Sequence, residues 1–148
     1  MSETLHSLSQ LSLPAAAGER FALGGVRGSA LPMLIAEAAI RHTGLLLVIT
    51  PDVQKAHQLE LEIRFFLEDA RIPVQTFPDR ETLPYDVFSP LPELISQRLT
   101  ILHGLQQQKR SVLVVPAGTL MHRLCPPLFV HGHSLLISEG ETLDLDAM

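Results

Sequence analysis

Two short runs, Leu45-Leu46-Leu47-Val48-Ile49 and Ser111-Val112-Leu113-Val114-Val115, are apolar at nearly every position. A strand with one wet face alternates apolar and polar residues. A strand without alternation is one that helices cover on both sides, as in a parallel sheet. Helical spacing surrounds both runs. Ala56, Leu59, Ile63, Phe66 and Ala70 recur at intervals of three and four, as do Ile95, Leu99, Leu102 and Leu105. Such side chains stack on one helix face and pack against a sheet. Short apolar strands alternating with helices predict an α/β domain with a three-layer, parallel sheet and right-handed crossovers.

Local signals place the elements. Phe21–Leu23 is a candidate first strand, followed by a glycine turn over 24–29. Pro32 suits the first turn of a helix, where its missing N–H costs nothing, and Gly44 suits the stop after about His42. Thr50 or Asp52 caps the next helix. Val74 to Phe77 is a short strand. The stretch from Pro78 to Pro92 is irregular, with four prolines. Pro116 ends the run at Ser111–Val115, and Gly118 to Leu124 is a short helix. After Cys125-Pro126-Pro127 the pattern changes to two expected strands, Leu128–Val130 and Ser134–Ile137. The expected divisions are a leader over 1–18, the α/β domain over 19–124, and the start of a further small domain over 125–148. The polar end covers nothing, so the chain reads as the beginning of a larger protein.

Composition narrows the chemistry. The 148 residues are 46% hydrophobic and 18% charged, enough to bury a core. The formal net charge is −5 and the longest basic run is Lys109-Arg110. That argues against a nucleic-acid face, which needs clustered cations. Cys125 is the one cysteine, so no internal disulfide forms, which fits a reducing cytoplasm. The N-terminus carries no secretory pattern. No apolar run approaches the ~20 residues that span a bilayer.

The stretch from Arg20 to Pro32 has the outline of a phosphate-binding loop. A working loop reads G-x-x-x-x-G-K-[ST]; its amides cradle phosphates, its lysine reaches the terminal phosphates and its hydroxyl holds magnesium. Counting from Gly25, through Gly28 and Ser29, the second glycine falls on Ala30, the lysine on Leu31 and the hydroxyl on Pro32. Arg27 sits too early to replace the lysine. The loop reads as degenerate, with no cofactor and no catalytic residue in this segment.

Two further clusters hold chemically capable side chains. His122, Cys125, His131 and His133 include residue types that bind zinc, but H-x-x-C followed by H-x-H matches no common structural site. No metal site is expected, and Cys125 is expected to be a small buried apolar residue. Asp79-Arg80-Glu81-Thr82-Leu83-Pro84-Tyr85-Asp86-Val87-Phe88-Ser89-Pro90 holds carboxylates that could exchange protons. Its composition fits better a proline-stiffened loop with its charges in water and Leu83, Tyr85 and Phe88 tucked down. Loops of this length in compact domains are often functional.

The chain resembles the N-terminal region of the bacterial transcription-repair coupling factor family, from about Leu13 onward. The signature is Glu81, Leu83, Pro84, Tyr85 and Asp86, then Ser89 and Pro90, then Ile95-Ser96-x-Arg98-Leu99. Thr50-Pro51-Asp52, Val114-Val115-Pro116, Thr119-Leu120-Met121, Cys125-Pro126 and His131-Gly132-His133 support it in the same order. The resemblance implies a degenerate P-loop fold of the RecA or helicase type, similar to the repair protein excinuclease B, and the start of a small inserted α+β docking domain at the C-terminus. It implies recruitment of excinuclease A through that inserted domain, most of which lies past Met148. It also implies ATP and Mg as cofactors of the full-length protein, with RNA polymerase and DNA bound by other parts of it. The alternatives are a small active P-loop enzyme or a fragment of excinuclease B itself.

Overall fold

The computed structural model describes residues 14, 16–82, 87, 89–133 and 140. Its elements, in chain order, are α1 (Ala30–Arg41), β1 (Leu45–Thr50), α2 (Val53–Phe66), β2 (Val74–Thr76), α3 (Pro92–Gln107), β3 (Ser111–Pro116) and α4 (Pro127–His133). Short 3-10 turns occupy Glu68–Ala70 and Ala117–Met121.

The three strands form one parallel sheet in the order β1-β3-β2. Leu45 lies opposite Ser111 and Thr50 opposite Pro116. Val74–Thr76 lies opposite Val112–Val114. The chain passes over β3 to reach β2, then turns back. Two crossovers of one hand running in opposite directions leave their helices on opposite faces. That is the arrangement found. Val112 and Val114 point to a core with Ala36 and Ala39 of α1 and with Ala56, Leu59 and Ile63 of α2. Leu113 and Val115 point the other way, to Phe77 and to Ile101, Leu102 and Leu105 of α3. Central β3 is therefore buried along its whole length. Full burial stabilises each such Val or Leu by ~1.5–3 kcal/mol.

Helix α2 starts where a cap is available. The Asp52 carboxylate accepts a hydrogen bond from the Lys55 N–H at 2.7 Å. The Thr50 hydroxyl turns instead to the Asp52 carbonyl at 3.0 Å, so Asp52 is the N-cap. The helix ends at Phe66. Leu67 takes the next buried position, while Ala70, expected on the packed face, is exposed in the 3-10 turn that follows.

Helix α1 is tied to the sheet at its far end. The Arg110 guanidinium donates to the Ala39 carbonyl at 2.7 and 2.9 Å, and also to the Ile40 carbonyl. The last carbonyls of a helix have no partner inside it and carry partial negative charge. Arg110 supplies donors and charge together, immediately before β3.

Three expectations about strands are corrected. Strand β1 was expected to be covered on both faces, but it lies at the sheet edge. Leu45, Leu47 and Ile49 stay 42%, 47% and 58% exposed. They share a face with Leu113 and Val115, and the α3 residues that cover those do not extend over β1. Phe21–Leu23 forms no strand; Phe21 is 56% exposed, and no described strand pairs with that segment. A strand needs a ladder partner for its backbone groups, and this segment pairs with neither edge of the described sheet.

The third correction concerns Leu128–Val130, which lies in helix α4 and not in a strand. Pro127 stands in its first turn, and the Phe129 and Val130 amides both donate to the Pro126 carbonyl. The His133 ring then stacks on Phe129 four residues earlier, with centroids 4.2 Å apart. Val130 is the buried residue of the helix. Ser134–Ile137 lies outside the described residues.

Candidate functional site

The glycine turn before α1 supplies little of the chemistry of an anion cradle. Gly25 and Gly28 adopt φ of 76° and 56°, the left-handed region that glycine enters without steric cost. The turn leads to Ser29, which caps α1 by position but makes no side-chain hydrogen bond. A helix N-terminus holds anions through free first-turn amides. Here the Ala30 amide is already directed to the Arg27 carbonyl at 3.3 Å, and the Met33 amide to the Ser29 carbonyl at 3.2 Å. Pro32 has no N–H at all. Of the first three helical residues, Leu31 alone has an amide to offer.

The side chains follow the same pattern. Pro32, at the hydroxyl position of a working loop, is fully buried. Leu31, at the lysine position, is half-exposed and faces apolar surroundings. It lines a cavity of about 550 Å³ with Leu23, Gly25, Val26 and the β1 residues Leu46–Ile49. A smaller cavity of about 310 Å³ joins Leu31 to Ile49, Thr50, Asp52 and Lys55. Lys55 is the cation in that lining, and its ammonium donates to Gln58 Oε1 at 3.2 Å.

The proline loop is better anchored than its composition suggests. Arg98, only 6% exposed, projects from α3 beneath its first residues. Its guanidinium lies 4.3 Å from the centre of the Phe77 ring and donates to the Pro78 carbonyl at 2.5 Å. Burial, and then the like charge of Arg80, push its pKa down, while Asp79 opposes them. Asp79 in turn accepts from the Arg80 amide at 2.8 Å and pairs with His122 Nε2 at 3.4 Å. Glu81 follows with φ of 59°, an uncommon conformation for a residue other than glycine. Of the signature residues, Glu81 and Ser89 are exposed and Pro90 is half-buried. Leu83, Pro84, Tyr85, Asp86 and Phe88 lie outside the described residues.

Arg98 was visible in the sequence as part of the signature, without a structural role. Its spacing to Ile101, Leu102 and Leu105 is the signal that could have placed it on the packed face of α3. Ile95 and Leu99, expected there, are 41% and 37% exposed.

A polar network missed in the sequence closes the other edge of the sheet. Arg64 contacts Glu60 Oε1 through Nε at 3.1 Å and through a terminal nitrogen at 2.7 Å. It also donates to the Val74 carbonyl at 2.7 Å. The Thr76 hydroxyl donates to Glu60 Oε2 at 2.5 Å. Pro73 already accepts from Val112, so Val74 faces away from β3 and its carbonyl needs another partner. An α2 side chain thus satisfies the outward Val74 carbonyl of β2.

The histidines and Cys125 disperse. His122 goes to Asp79, His131 packs on His103 at 4.4 Å between ring centroids, and His133 stacks on Phe129. Cys125 is exposed, contrary to expectation, because the Cys125-Pro126-Pro127 segment runs along the surface before α4 begins. Among the described residues, no group of three or more His, Cys, Asp and Glu side chains could hold a metal.

No family model matches the chain. Individual relatives do. It is 45% identical over 137 residues to the transcription-repair-coupling factor of Escherichia coli (strain K12), covering 93% of this chain. The chain is homologous to the transcription-repair-coupling factors. The protein of that name from Haemophilus influenzae is 40% identical over 139 residues, and one from Staphylococcus aureus is 27% identical over 122 residues. The chain spans 12% of the length of each of the first two coupling factors. The match takes in the glycine turn, the sheet and the anchored loop together, since it covers nearly all of the chain.

Proposed function

We propose that this chain is a non-catalytic module of a transcription-repair-coupling factor, serving as a scaffold for protein contact. In this reading it is a degenerate helicase-like domain of the P-loop or RecA type, similar to excinuclease B. The residues after Cys125 begin an inserted docking domain for excinuclease A. ATP and Mg, DNA and stalled RNA polymerase are engaged by other parts of the longer protein, in the cytoplasm.

One observation carries the proposal. Leu31 and Pro32 stand where a nucleotide-hydrolysing loop needs a lysine and a hydroxyl, and Pro32 is fully buried. Phosphoryl transfer rests on positioning and on stabilising developing negative charge, and neither residue can do that. The parallel sheet, with helices on both faces of β3, is compatible with the fold. The acidic balance of the chain supports a protein partner over DNA for this segment. No described helix is long and apolar enough to cross a membrane.

The test is a pull-down with purified excinuclease A. It compares this chain with a version extended by a further small domain of ~50 residues or more. The extended version should retain excinuclease A and the present chain should retain little. Failure of the extended version would remove the docking role.

A further inference from the structure

We draw no further inference here: the strongest candidate, the cavity of about 550 Å³ beside the edge strand β1 with its bare row of Leu45, Leu47 and Ile49, is an unpartnered apolar face and nothing in the structure shows what covers it.

Discussion

Arg98 lies over the face of Phe77, with its guanidinium 4.3 Å from the ring centre. The same guanidinium donates to the neighbouring Pro78 carbonyl. A buried cation is costly unless its environment replaces water; here an aromatic face and a carbonyl do so. Arg98→Ala should destabilise the domain by about 2–5 kcal/mol, the sum of one charge-assisted hydrogen bond and one partly desolvated cation–π contact. Arg98→Lys should recover part of the loss, since it keeps the charge without the planar fork. Urea denaturation measures both. Equal stability of the Ala variant and the parent would contradict the anchor.

The lowered pKa of Arg98 has a defined sign. A cation whose folded pKa lies below its unfolded value holds fewer protons when folded, so stability rises with pH between the two values. For arginine that window lies at the alkaline extreme. Arg98 is charged at neutral pH in both states. The destabilisation by Arg98→Ala should therefore be the same at pH 6 and pH 8 (~0 difference by this linkage). Denaturation curves at the two pH values check this.

Arg110 performs a related task at the end of α1. Removing it with Arg110→Ala should cost about 1–2 kcal/mol, since it leaves helix-terminal carbonyls without their charged donor. The effect should be local. Hydrogen exchange should speed up for the amides near the C-terminal end of α1 more than for those of β3.

Burial is distributed unevenly over the sheet, and stability should follow it. Ile63 is fully buried against Val112 and Val114, so Ile63→Ala should cost ~2–5 kcal/mol in lost transfer energy and cavity formation. Leu47, on the bare face of β1, should cost less than ~1.5 kcal/mol when changed to Ala, because much of its surface is already in water. Chemical denaturation of both variants gives the comparison. Similar losses would mean that the face of β1 is covered in solution.

These contrasts show what was legible in the sequence. Helix α2 was, because Asp52 supplies a local cap and Ala56, Leu59 and Ile63 repeat with the helical period. The run at Ser111–Val115 was too, because an unbroken apolar stretch of that length belongs in a doubly covered strand. Its twin at Leu45–Ile49 has the same pattern yet sits at an edge, since neighbours far away in sequence decide strand position. Phe21–Leu23 misled for that reason: local composition cannot provide a ladder partner. Leu128–Val130 was ambiguous because three apolar residues fit either period, and Pro127 with the Pro126 carbonyl decided for a helix. The missing charge at Leu31 was fully readable. The engagement of the neighbouring Ala30 and Met33 amides was not, because it depends on how the turn closes onto Arg27 and Ser29.

The central claim is that the α1 turn does not hold a nucleotide. Calorimetric titration of Mg-ATP into the purified chain tests it most directly. The account predicts no saturable heat, and none after Leu31→Lys, because Pro32 still removes an amide and the magnesium ligand. Micromolar binding by the unaltered chain, abolished by Lys55→Ala, would contradict it by showing that the neighbouring lysine supplies the missing charge.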